Sequence, residues 1–192
     1  MNEEIIIGAK NFFEKEVKDL GDPFNLAIHV PQVVRWAQFV QKKYPESDKE
    51  VILLSAWLHD LGHLQKNSKI DHAVIGAQKA KEFLEREKYP REKIERVLHC
   101  IRAHRCRDII PETIEAKIIA FSDSASHMTT WTYFDMSMQD KDKNNEFRAY
   151  EKLERDFRDL SHFPEIKNKL EPLYNSWKTL LKSYEDFDFE DI

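Results

Sequence analysis

Two histidines and two aspartates beside apolar runs carry the first chemical suggestion in this chain. The segment VILLSAWLHDLGH, residues 51–63, is apolar on nearly every side through Leu58 and then delivers His59 and Asp60. A carboxylate placed after a buried helix is costly unless a metal, a cation or several hydrogen bonds compensate it. The segment EAKIIAFSDSASH, residues 115–127, repeats the pattern: Ile118, Ile119, Ala120 and Phe121 lead into Asp123. His29 precedes Val33, Val34, Ala37 and Val40, an apolar face at helical spacing. Imidazole nitrogen and carboxylate oxygen are common ligands of divalent ions, so His29, His59, Asp60 and Asp123 form a candidate metal set. Each feature alone has a plainer reading: a His-Asp pair that ends a helix, an aspartate bonded to backbone amides, a structural histidine. The three together favour the metal.

The elements that must position these residues are helical. Spacings of three and four recur throughout, and alternating strand patterns are scarce. The pattern predicts seven or eight helices, over residues 2–20, 30–44, 48–61, 72–88, 91–106, 112–127, 146–159 and 165–184. Pro31 is expected in the first turn of its helix, with His29 at that helix's N-terminal end. The segment Asp135 to Glu146 is polar and reads as a loop. Only four glycines occur, and no Gly-rich strand-to-helix turn of a doubly wound nucleotide fold is present. No internal repeat or domain boundary stands out, so the expectation is an all-α, single-domain helical bundle over 1–192.

Composition narrows the class further. The chain has 192 residues, 41% hydrophobic and 34% charged, a globular mixture. The net charge is −5, and the final nine residues, YEDFDFEDI, account for all of it. A neutral body with an acidic tail has no global attraction for nucleic acid or anionic membrane, so neither is an expected partner. Cys100 and Cys106 lie six apart on one predicted helix, which argues against a bridge. The opening residues lack the makeup of a secretory signal, and the longest apolar stretch is too short to span a bilayer. The expected setting is cytoplasmic, with reduced thiols.

Taken in order, His29, then His59-Asp60 within LHDLGH, then Asp123 within IIAFSDSASH resembles the metal-binding signature of the HD-domain superfamily, an all-α group of mostly metal-dependent phosphohydrolases. The separations, 30 residues from His29 to His59 and 63 from Asp60 to Asp123, fit its layout. The resemblance covers residues 25–128 as an HD-type core, with helices over 145–184 expected to pack on it. In branches that hold two metals, a helix resembling HAVIGA and a later histidine resembling IRAH supply a second site. That similarity implies His72 and His104 as further ligands, with Asp60 bridging both ions. The sequence leaves the alternative of two hydrogen-bonded core histidines and one ion. Gly76 and Ala80 share a face with His72, and small residues there allow a close helix approach. His99 lies about 140° from His104 around an ideal helix and reads as a surface residue. His63 holds the place where some branches carry a Lys or His near the substrate phosphate. It is a candidate catalytic residue with Asp60, and a solvent-exposed loop position is the competing reading.

The resemblance implies hydrolysis of a phosphate ester or anhydride, in a nucleotide or other small phosphorylated metabolite. One or two divalent ions are implied. Mn, Fe, Zn, Ni and Co suit histidine-rich ligands better than Mg does. The alternatives are a regulatory module that binds a nucleotide without turnover and a di-iron oxygenase of the same superfamily. In the C-terminal third, Arg148, Arg155 and Arg158 belong to a mixed-charge helix whose ordinary role is a solvated face. Gripping phosphate is their other possible use. Tyr174, Trp177 and Tyr184 are expected in a core.

Overall fold

The structure, a computed structural model, describes residues 2–65, 68–141 and 148–185, with backbone alone at 138–141, 148, 184 and 185. Among the described residues all regular structure is helical: nine α-helices and two 3₁₀ turns, with no strand. The chain forms two compact units, Met1–Asp123 and Ser124–Ile192. No described helix is long and apolar enough to cross a membrane, and Cys100 and Cys106 are both free.

In the first unit the helices are α1 (Glu3–Leu20), α2 (Leu26–Gln41), α3 (Lys49–Leu58), α4 (His72–Arg86) and α5 (Arg91–Ala103), followed by most of α6 (Ile114–Met128). Helix α3 is its axis. Every residue from Glu50 to Leu58 is buried, and α1, α2, α4 and α5 all pack against it. A helix apolar on all sides must be enclosed in this way. Its start is fixed by Asp48, whose carboxylate accepts from the amides of Glu50 and Val51 at 3.1 and 3.3 Å. It ends at Leu58, three residues before the expected limit, and a 3₁₀ turn over Leu61–Leu64 follows.

Helix α2 begins four residues earlier than the sequence suggests. Asn25 takes the left-handed conformation at φ 55°, which asparagine tolerates better than most residues. Asp22 accepts from the amides of Leu26 and Ala27 at 2.6 and 2.9 Å. The Asp22 carboxylate satisfies these first amides, so Pro31 lies inside the helix rather than in its first turn. Proline there forfeits the bond to the Ala27 carbonyl. His29 still falls near the N-terminal end, as its fourth residue.

The second unit holds the end of α6, then α7 (Thr132–Lys141), α8 (Arg148–Asp159) and α9 (Pro164–Glu185), with a 3₁₀ turn over Leu160–His162. Helix α7 corrects the expected loop at 135–146 as far as Lys141; residues 142–147 lie outside the described set. Tyr133, Leu153, Phe163, Tyr174 and Trp177 are buried there, which places Tyr174 and Trp177 in a core. Arg158 is exposed beside Asp159, at 3.4 Å. The side chains of Arg148 and Tyr184 and the tail from residue 186 lie outside the described set.

The N-terminal end of α3 carries a buried polar cluster. Glu50 accepts from the Asn2 amide at 2.6 Å, from Lys93 Nζ at 3.1 Å and from the Tyr89 hydroxyl. Arg96 bridges Asp48 and Glu115 at 3.1 and 3.0 Å. Burial pushes the Glu50 pKa up, but the bonds from Tyr89, Asn2 and Lys93 outweigh it and hold the carboxyl below its ordinary 4.5. A depressed folded pKa means that the contribution to stability is present above the unfolded value and is lost as pH falls through the folded one. Glu50→Gln replaces an acceptor with an amide that faces donors, and should cost roughly 2 kcal/mol at neutral pH. Chemical denaturation of both proteins should show that difference shrinking as pH drops from about 5 to about 3. A pH-independent gap would contradict the charged cluster.

Candidate metal centre

His59 and His104 are each the first residue past a helix, α3 and α5 respectively, and both use one device. His59 Nδ1 lies 2.9 Å from the Ala56 carbonyl, and His104 Nδ1 lies 2.6 Å from the Ile101 carbonyl. A carbonyl accepts only, so each Nδ1 carries the proton and each Nε2 keeps a lone pair. Such a bond fixes tautomer and ring orientation together. Both rings are almost wholly buried.

Asp60 sits between two groups of nitrogen donors. Its Oδ2 lies 3.3 Å from His29 Nε2 and 3.4 Å from His59 Nε2. Asp123 Oδ1 closes the first group at 3.1 Å from His29 Nε2 and 3.7 Å from His59 Nε2, and the two nitrogens are 3.4 Å apart. Four donors held tetrahedrally about 2.0–2.2 Å from one ion stand roughly 3.3–3.6 Å from each other. The observed edges therefore suit a small divalent ion. Asp60 Oδ1 faces the second group, 3.7 Å from both His72 Nε2 and His104 Nε2, whose own separation is 3.4 Å. Both sets, His29-His59-Asp60-Asp123 and Asp60-His72-His104, can hold a metal ion.

The electrostatics of the two groups differ. Burial opposes a charge on His29, yet Asp123 and Asp60 overcome it and raise its pKa to about 9. His59 is raised in the same sense, against burial, by Asp60 and Asp123. Burial also disfavours the charged form of Asp60, but His59, His63 and His29 hold its carboxyl well below the usual range. The two carboxylates of the first group thus draw positive charge toward its imidazoles. In the second group burial prevails, taking His72 down to about 3 and lowering His104. Neutral imidazoles are the form that binds metal.

His63 joins this cluster at its edge. Its ring stacks on His72 at 3.8 Å between centroids and meets Phe24 at 4.8 Å, while its Nε2 is 3.8 Å from Asp60 Oδ1. The side chains of His63 and His72 are 28% and 21% exposed while His59 is fully enclosed, so the cluster reaches solvent on the His63 side. His63 is therefore neither a free loop residue nor deeply buried. His99 is half-buried and accepts the Glu112 amide at 3.3 Å, apart from both groups.

The backbone makes the close spacing possible. A Cβ on Gly62 would lie 2.0 Å from the His72 carbonyl oxygen, and one on Gly76 would lie 2.7 Å from the His59 carbonyl oxygen. The need for glycine at these positions is therefore steric. The sequence marked Gly76 as a close-approach position. It missed Asp71, whose Oδ1 caps α4 at the Ala73 amide, 2.8 Å away. An aspartate immediately before a helical stretch was the available signal. Phe24 carried none.

The HD-domain family model matches residues 26–128, just over half the chain and the span that contains His29, His59, Asp60, His63, His72, His104 and Asp123. The chain belongs to the HD-domain family. Its HD domain places it in a superfamily of mostly metal-dependent hydrolases. No curated protein and no solved structure gives a significant match.

The two glycines test how tightly this HD domain is drawn together. Gly62→Ala drives a methyl into backbone, where no side chain can yield, and should destabilise the first unit by about 3 kcal/mol. Gly76→Ala should cost less, roughly 1–2 kcal/mol. Denaturant titration of the two variants should preserve that order; equal and negligible effects would mean that the helices are not in register here.

Proposed function

We propose that the chain is a metal-dependent phosphohydrolase acting on a phosphate ester or anhydride in a nucleotide or other small phosphorylated metabolite. In this reading His29, His59, Asp60 and Asp123 hold one divalent ion, and Asp60, His72 and His104 hold a second. The observation that carries it is the division of Asp60, with one oxygen turned to each set of imidazoles. A bound divalent ion lowers the pKa of its water and polarises a phosphoryl oxygen. Asp60 and Asp123 supply the negative charge that retains the ions and orient the attacking water. The carbonyl-anchored rings of His59 and His104 keep their donor nitrogens aimed without further ordering. His63, on the solvent side, is positioned to contact the phosphate or to give a proton to the leaving oxygen. Mn, Fe, Zn, Ni or Co fits these nitrogen-rich sets better than Mg. The phosphate specificity follows the family. The setting we propose is cytoplasmic, in keeping with two free thiols.

Metal stoichiometry and turnover test separate parts of this reading. Protein saturated with Mn should carry two ions per chain by mass spectrometry. Asp60→Ala should lose both, while His72→Ala and His104→Ala should each retain one. Unchanged metal content in Asp60→Ala would refute the centre itself. A screen of nucleotides and sugar phosphates should show metal-dependent phosphate release, with kcat in His72→Ala falling more than KM rises. Nucleotide binding without release would mark a regulatory module instead.

A further inference from the structure

We propose that Arg105 and Asp71 are positioning residues that set the spacing of the second ion's two histidines; this rests on the two-ion reading above. The histidines unique to that set come from different helices. His72 is the first residue of α4, and His104 follows the last residue of α5. Their chain neighbours, Asp71 and Arg105, form an ion pair across the same gap, guanidinium Nη1 to Oδ2. Asp71 uses its oxygens for two tasks, with Oδ1 capping α4 at the Ala73 amide and Oδ2 facing Arg105. The chain turns sharply after His104: Cys106 takes the left-handed conformation at φ 51°, and its amide bonds the Ala103 carbonyl at 3.0 Å. Arg105 sits within this turn, with a side chain only 18% exposed.

The pair adjoins the two histidines that only the second ion uses. His29, His59 and Asp123 are carried by α2, the end of α3 and α6, none of which includes Asp71 or Arg105. Loss of the pair removes this tie between the start of α4 and the end of α5, helices that also pack on each other, and so loosens the 3.4 Å approach of His72 and His104. Residues that orient metal ligands in this way typically change metal affinity by about 10–100-fold when removed. Asparagine at position 71 can still cap α4, so Asp71→Asn removes the charge and leaves the helix start.

The test is calorimetric titration of Mn into the metal-free full chain, for wild type, Arg105→Gln, Asp71→Asn, the double variant and Arg105→Lys. The expected result is a second-ion Kd raised at least about ten-fold in both single variants, with the first-ion Kd within about two-fold of wild type. The double variant should be no worse than either single one, and Arg105→Lys should recover part of the loss. The retained first ion serves as the folding control. Wild type that binds two ions beside an Arg105→Gln that binds both as tightly overturns the clamp and leaves the two-ion reading intact. Wild type that never exceeds one ion overturns both. Weakening of both ions alike would show a general structural role, and a raised KM with unchanged metal affinity would place Arg105 on the substrate; either overturns the proposal.

Discussion

The arrangement depends on one carboxylate in an unfavourable place. Asp60 follows the C-terminal end of α3, the helix most fully enclosed by the first unit, and is only 6% exposed. Burial penalises its charge, and so does the negative end of the helix macrodipole. Every ion-pair partner it has among the described residues is a histidine: His29, His59, His63, His72 and His104. Five rings converge from α2, α4, the 3₁₀ turn over Leu61–Leu64 and the ends of α3 and α5 because this oxygen pair must be answered from several directions. The first unit is arranged so that helix termini meet there.

Convergence of that density requires backbone to approach backbone. The 3₁₀ turn after Asp60 and the first turns of α4 touch at Gly62 and Gly76, where a methyl group would overlap carbonyl oxygens. The rings are then oriented by local bonds within three residues, from His59 to Ala56 and from His104 to Ile101. Local anchoring lets the donor nitrogens keep their direction independently of what lies in the cluster. This is the physical content of preorganisation in a ligand set.

Periodicity made most of the helical architecture legible, because α3 and the apolar run of α6 bury nearly all their surface and leave a plain signature. The HD residues were legible for the same reason: each ends or interrupts an apolar run, where a polar group needs an explanation. Boundaries set by side-chain caps were harder. The α2 start depends on Asp22 and Asn25, which look like ordinary loop residues, and Pro31 drew the expected boundary toward itself. Helix α7 was missed because its few apolar residues do not line one face. The roles of Asp71 and Phe24 depend on contacts made only after α4 and the 3₁₀ turn are placed, and no spacing rule reports them.

The two ends of α3 show how the same problem is solved twice. At its start, Glu50 is as buried as Asp60, and Asp48 lies beside it. There the chain itself supplies fixed compensation: the Lys93 ammonium, the Arg96 guanidinium and the Tyr89 hydroxyl, all at the helix end where an anion is favoured. At the other end the helix disfavours an anion, and the surrounding groups are imidazoles, which can shed their charge. A lysine or arginine in their place would satisfy Asp60 permanently and occupy the space between the donors. Imidazoles leave the carboxylate charge to be met by whatever cation enters. That contrast, within one helix of ten residues, supports reading the Asp60 end as a place for an exchangeable ion and the Glu50 end as part of the scaffold.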